Sequence, residues 1–280
     1  MSLPAACQRH VRQLRMTAMD NHFTVLTWNV NGFSMQDQPR LLASMEWDLA
    51  CLQEVTRESW PAFQECGEDG AVAFDRLPTL ASSDPRYACA VVVRDEARLI
   101  DFGVVPDVPS PERAAVATVQ VAGGRLQLCA WAAPPGVSWG ASGKGRQVDR
   151  FGAWLRDRHG PVVVGMDRNA PRWERHDLAK DEWWNRWEPL LYGPDRVHDL
   201  RDVYRDHLAH NPDLAAHLRQ THPDGPLEVT HRRRGTDCRY DAIYASPELQ
   251  VDDVEHHLDP ALKAGSDHAM VLARLSWRRP

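Results

Sequence analysis

The apolar positions of this chain fall into many short runs with the two-residue period of strands, and into few stretches with helical spacing. Residues 23–30 form a β-rich run closed by the turn pair Asn31-Gly32. Residues 38–46 carry Leu41, Leu42 and Met45 on one helical face, and 48–54 read as a buried strand ending on a carboxylate. A helix is expected over 56–66, and strands over 87–94, 114–121 and 125–131, the last two joined as a hairpin at Gly123-Gly124. A glycine-rich loop opens at Pro134, an amphipathic helix follows over 146–159, and 161–166 is a continuous apolar strand. Residues 171–211 lack a clear period and read as irregular with short helices, holding Trp173, Trp183, Trp184 and Trp187. Strands at 227–231, 239–245, 249–254 and 269–275 complete the chain. Many strands with few helices predict an α+β fold of two stacked sheets with helices outside.

Composition narrows the setting more than the chemistry. The 280 residues are 43% hydrophobic and 26% charged, ordinary for a globular protein. A net charge of −6 provides no global positive field toward nucleic acid or an anionic membrane. The six cysteines are scattered without a C-x-x-C pair, which fits reduced thiols and a cytoplasmic setting. No apolar run reaches the length of a membrane span. Residues 1–20 read as an N-terminal extension, either a short helix or a disordered tail, with Met16 or Met19 as alternative starts. Nothing divides 21–280, which is read as one catalytic domain.

Chemistry enters at the strand ends. Five of them carry polar groups that a core does not need: Asn29 with Asn31, Glu54, Asp167 with Asn169, Asp241, and Asp267 with His268. Oxygen donors without a cysteine or histidine cluster suit Mg²⁺ or Mn²⁺. An aspartate that activates water, an asparagine that orients it and a histidine facing an anionic oxygen together make a phosphoester hydrolase. The phosphate loop G-x-x-x-x-G-K-[ST] and the zinc motif H-E-x-x-H are both absent, so a nucleotide-triphosphate motor and a zincin are excluded.

The ordered series Thr27-Trp28-Asn29-Val30-Asn31-Gly32, Leu52-Gln53-Glu54, Gly165-Met166-Asp167-Arg168-Asn169, Arg239-Tyr240-Asp241-Ala242-Ile243 and Ser266-Asp267-His268 resembles the endonuclease/exonuclease/phosphatase superfamily. The resemblance implies a four-layer α/β/β/α sandwich with two stacked, mostly antiparallel sheets, and Mg²⁺- or Mn²⁺-dependent attack of water on a phosphoester. It implies Glu54 as main metal ligand, with Asn31 and Asp267 at the metal side and Asn29 close by. Asp167 would take the proton of water, Asn169 would position it, and His268, oriented by Asp241, would meet the phosphate.

Three departures stand against that pattern. Asn31 replaces an acid found in several members, Met166 replaces a glycine, and Ala132 stands where a histidine or tyrosine commonly touches phosphate. Lys144, Arg146, Arg232, Arg233 and Arg234 are the candidates for substrate phosphate contacts. The tryptophans of 173–187 either stack on bases or form a small core around an insertion. DNA or RNA is the favoured substrate. A small or lipid phosphoester, and a catalytically weak binding protein on the same fold, are the rival readings.

Overall fold

The structure, a computed structural model, describes residues 21–32, 37–77 and 85–278. The extension read over 1–20 lies outside the described residues. The first sheet runs in the order β13-β14-β1-β2-β4-β3, built from β1 (His22–Asn29), β2 (Leu49–Val55), β3 (Asp69–Val72), β4 (Ala88–Val93), β13 (Leu249–His257) and β14 (Met270–Trp277). The second is β5-β6-β7-β8-β12-β9, from β5 (Arg98–Val104), β6 (Ala114–Val121), β7 (Gly124–Ala132), β8 (Val162–Asp167), β9 (Arg201–Asp202) and β12 (Asp241–Ala245). A separate two-stranded ribbon joins β10 (His231–Arg233) to β11 (Thr236–Cys238).

The two sheets stack, and helices cover their outer faces. Against the first sheet lie α1 (Asp37–Ser44), α2 (Trp60–Gln64) and α7 (Leu258–Lys263); against the second lie α3 (Gly136–Asp157) and α4 (Glu188–Tyr192). The chain is therefore a four-layer α/β/β/α sandwich. The two-residue period of β8 shows how the layers form. Val162, Val164 and Met166 pack under α3 with Phe151 and Trp131, while Val163 joins the core between the sheets. Each sheet holds one parallel pair at its centre, β1 with β2 and β7 with β8, and the other pairings are antiparallel. The C-terminal ends of both parallel pairs fall at one end of the sandwich. There they meet the N-terminal ends of β12 and β14, which run the opposite way.

Several expected elements shift for identifiable reasons. The strand read at 227–231 is not one over 227–230, because those amides bond elsewhere. Leu227 N donates to Glu174 Oε2, Val229 N to Glu228 Oε1, and Thr230 N to Cys238 O. The helix read over 146–159 begins earlier, at Gly136, and kinks at Gly140, whose φ is 67°. The helix read over 56–66 shortens to α2, with Pro61 near its start. Edge strands β3 and β5 were not expected. Nor was α6 (Pro212–Thr221), which follows α5 (Val203–His210) directly. Among the described residues, no helix is long and apolar enough to cross a membrane.

The sheets come into direct contact at Gly165. A Cβ there would lie 2.6 Å from Cys51 Cβ and 2.8 Å from Thr27 Cβ. Gln53 spans the same seam, donating from Nε2 to Thr27 Oγ1 at 3.0 Å and to Gly165 O at 3.2 Å. Gly165→Ala should therefore push the sheets apart and cost about 1–3 kcal/mol of overpacking. Chemical denaturation measures this, and an unchanged midpoint would show that the seam has slack.

Candidate active site

The inner faces of the two sheets turn polar where the parallel pairs end. Alternation along β1 sends Thr27 and then Asn29 toward the second sheet. On β8 it sends Gly165 and then Asp167 toward the first. Asn29 and Asp167, each 2% exposed, meet across the sandwich: Asn29 Nδ2 donates to Asp167 Oδ2 at 3.1 Å. Asn169 adds two donors to the same carboxylate, its backbone N–H to Oδ1 and Nδ2 to Oδ2, both at 3.0 Å. Its φ of 47° folds the side chain back over Asp167.

Glu54 reaches the cleft against the alternation. Gln53 faces the second sheet, so Glu54 in a regular strand would face the outer helices. A register shift between Leu52 and Val55 and a φ of 58° at Glu54 turn its side chain back inward. There it bonds Asn29. Burial, then the Asp167 charge, raise its pKa above the ordinary carboxylate value, against the opposing pull of His268 and Arg113. The positive charge that reaches the two acids does not offset burial and their mutual repulsion at Glu54, and the groups around them offer oxygens. That environment suits a hard divalent cation. Asn31 is tied in twice: its N–H donates to Asn29 Oδ1 at 2.9 Å, and its Nδ2 to Asp267 Oδ1 at 3.0 Å.

The opposite wall is His268, only 7% exposed. Its Nδ1 lies 2.9 and 3.1 Å from the carboxylate oxygens of the wholly buried Asp241, which sits opposite Asp167 in the β8–β12 register. Burial opposes charge on the ring, but Asp241 and Asp167 outweigh it and push the imidazole pKa up to about 10. Burial raises Asp241 in turn, while His268 pulls it down. Below, Thr230 Oγ1 accepts the backbone N–H of Asp241, and Ser266 Oγ accepts that of His268 and donates to Asn29 O. Asp167, Asp241 and His268 thus bring their ligand atoms within 4.8 Å of one another.

The expected phosphate contacts do not act as one group. Lys144 is a correction. Because α3 starts at Gly136, Lys144 lies on its buried face with Gln147, Val148 and Phe151. Its Nζ lies 2.6 Å from Glu188 Oε1 and donates to Asn169 O at 2.9 Å. It supports the loop of Asn169 from beneath rather than facing the cleft. Arg146 is exposed on the other side of α3. Alternation on β10 separates Arg232, paired with Asp237, from Arg233, whose guanidinium lies over Trp184; Arg234 sits in the hairpin turn with φ 48°. Ala132 stands beside Asp167 in the β7–β8 register, so that strand end offers only a methyl group. Trp183 and Trp187 pack on the α3 core, whereas Trp173 and Trp184 remain exposed.

Two features escape a reading of the sequence alone. His231 stacks on His268 with ring centroids 4.4 Å apart, and its Nδ1 lies 3.0 Å from Asp267 O. Its place before three arginines hid it. Arg168 and Arg239 are buried on the side of β8 and β12 away from the cleft, clamping their ends. Arg168 Nη2 donates to Arg239 O, and both guanidinium groups lie within 4.0 Å of Glu174 and Asp202. Burial alone would raise Glu174 and Asp202, but these arginines and Arg205 hold both well below that. The only signal for the pair was phase. Arg168 follows Asp167 directly, so a strand directs it away from the cleft.

The sequence profile described as the Endonuclease/Exonuclease/phosphatase family matches residues 26–268. No curated protein sequence matches the chain. Among solved structures, the 3′ phosphatase NExo from Neisseria, bound to product DNA hairpin, is 25% identical with a TM-score of 0.62, covering 91% of this chain and 100% of that one. An AP endonuclease from Archaeoglobus fulgidus is 20% identical with a TM-score of 0.62, covering 90% and 98%. Humanized D. rerio TDP2 is 14% identical with a TM-score of 0.62, covering 92% and 100%.

Asp241→Asn removes the charge that keeps His268 protonated, so the ring should titrate far below pH 10, under the combined pull of burial and the lost partner. In the native chain the raised value means that the imidazolium stabilises the fold fully below about pH 6.5. That contribution fades as pH rises through about 10. Histidine ring NMR against pH reads both, and a His268 resonance still titrating near pH 10 in Asp241→Asn would contradict the pairing.

Proposed function

Since the chain belongs to the Endonuclease/Exonuclease/phosphatase family, we propose that it is a divalent-cation-dependent phosphodiester hydrolase whose substrate is DNA or RNA. One observation carries the reading. The Asp167 carboxylate, held by three donors from Asn29 and Asn169, faces a buried His268–Asp241 pair within a single cleft. The Neisseria structure, a 3′ phosphatase bound to product DNA, supports nucleic acid as the substrate class.

In this reading Glu54, with Asn31 and Asp267 beside it, would hold Mg²⁺ or Mn²⁺, which supplies Lewis-acid charge to the phosphate when bound. The chain's own groups do the rest. Asn29 and Asn169 fix the Asp167 carboxylate so that a free lone pair faces the cleft, where it takes the proton of an attacking water. Asn169 Nδ2 also donates to Ala133 O, so its amide orientation is set before substrate arrives. Asp241 accepts the Nδ1 proton of His268, which leaves the Nε2 proton for a phosphate oxygen on which charge builds. Ala132 provides no such donor, so His268 carries a larger share of that stabilisation. Arg113, whose charge already reaches Glu54, is a further cation beside the cleft. The cysteine usage supports a cytoplasmic setting as part of the same proposal; Cys51, Cys89 and Cys129 are buried, free thiols.

Two substitutions test the roles. Asp167→Asn keeps the shape but cannot accept the proton, and should lower kcat by roughly 10²–10⁴-fold, with a modest loss of thermal stability because its amide nitrogen faces a donor that the carboxylate accepted. A rate near wild type would require another base. Glu54→Gln should raise the Mg²⁺ concentration needed for half-maximal hydrolysis by about ten-fold or more, with the rate partly recovered at high metal. Hydrolysis of any phosphoester in excess chelator at the full rate would remove the metal from the account. Hydrolysis of a small or lipid phosphoester with no cleavage of DNA or RNA would replace the nucleic-acid substrate.

A further inference from the structure

We propose that Trp184, flanked by Arg233 and Arg172, is a stacking subsite for an unpaired base next to the scissile phosphate, so that the substrate presents single-stranded nucleotides at the cleft. The proposal rests on the phosphodiesterase reading of the same site and names its substrate form.

The placement follows from β10. His231 and Arg233 are two residues apart and share one face of the ribbon, about 6–7 Å from each other along the strand. His231 stacks on His268, so Arg233 is the next group outward from the catalytic histidine. The Arg233 guanidinium carbon lies 4.7 Å from the Trp184 ring centroid, and that of Arg172 lies 5.4 Å from it. Among the described residues neither arginine forms an ion pair, whereas nearby Arg175 and Arg232 are both matched by acids. The result is a local cationic ridge on a chain of net charge −6.

Trp184 is 40% exposed although it is among the largest apolar side chains, and it is not on a loose tether. Its backbone N–H donates to Glu188 Oε2 at 2.8 Å. Glu188 is the buried partner of Lys144, which holds Asn169 O. The ridge is thus fastened to the catalytic loop through Lys144 and to the catalytic histidine through His231. An exposed indole beside guanidinium groups is the surface that a base face and its flanking phosphate occupy together. In a duplex the base faces are already stacked on their neighbours, so paired substrate uses the arginines but not the indole.

The test uses the whole chain. Binding of a fluorescent oligothymidine and of a blunt duplex of equal length is followed by anisotropy with Ca²⁺ in place of Mg²⁺. Hydrolysis of the same oligonucleotides and of bis(p-nitrophenyl) phosphate is followed with Mg²⁺. Trp184→Ala should weaken single-strand binding by about ten-fold or more. It should also lower the ratio of kcat/KM on the oligonucleotide to kcat/KM on the small diester by a similar factor. Trp184→Phe should recover most of both, because an aromatic face is what the base needs. The subsite is overturned if wild type and Trp184→Ala bind oligothymidine alike, if the loss is as large for duplex, or if the ratio does not change. A wild-type chain that hydrolyses none of these esters defeats the phosphodiesterase reading itself. Hydrolysis of the small diester without oligonucleotide binding defeats the subsite and the nucleic-acid substrate together, and leaves the phosphodiesterase reading standing.

Discussion

The site depends on how closely the two sheets approach. At Gly165 no side chain intervenes, and Cys51 and Thr27 of the facing sheet fill the space a Cβ would take. Gln53 ties the seam by donating across it to Gly165 O. Two residues further along each strand, the same spacing lets Asn29 reach Asp167 directly, at 3.1 Å. Two short polar side chains placed end to end span the usual sheet separation of about 10 Å with nothing to spare. The polar contact across the cleft therefore depends on the apolar contact beneath it. Relaxing the seam would part Asn29 and Glu54 on one sheet from Asp167 on the other.

Charge is organised around that link in two tiers. In the cleft, acids outnumber cations. Glu54 is raised by burial and by Asp167, and the excess negative charge keeps His268 protonated. Behind the cleft, Arg168 and Arg239 stand in a buried network with Glu174, Asp202 and Arg205. Buried ions are costly unless paired, and here each has partners. Arg168, which directly follows β8, bonds the Arg239 and Tyr240 carbonyls just before β12, so it fixes the relative position of Asp167 and Asp241, one on each strand. Lys144 does the same for Asn169 from the helix side. The cleft side chains sit on strands whose ends are held from behind by this buried ionic network.

Much of this was legible in the amino-acid order. Apolar runs ending in Asn29, Glu54 and Asp167, and one beginning at Asp241, mark strand ends, because a two-residue period cannot hide a carboxylate between buried neighbours unless it emerges at an edge. Ser266-Asp267-His268 follows α7 and a short turn, and the apolar run after it places His268 at the mouth of β14. Local patterning therefore determined the strands, their ends and the residue types available for chemistry. Tertiary structure alone decided which of these groups meet and which charges face water. A strand period put Glu54 on the wrong face until a bulge turned it. A lysine and three arginines that look alike in sequence became a buried brace, an exposed ion pair, an indole partner and a turn residue. His231, carrying no motif, came to stack on His268 through a ribbon 37 positions away in the chain. Alternation reports only the immediate neighbourhood of a residue, whereas burial and pairing are set by elements far apart in sequence. The cleft itself, formed where two sheets run out together, exists only once both have packed.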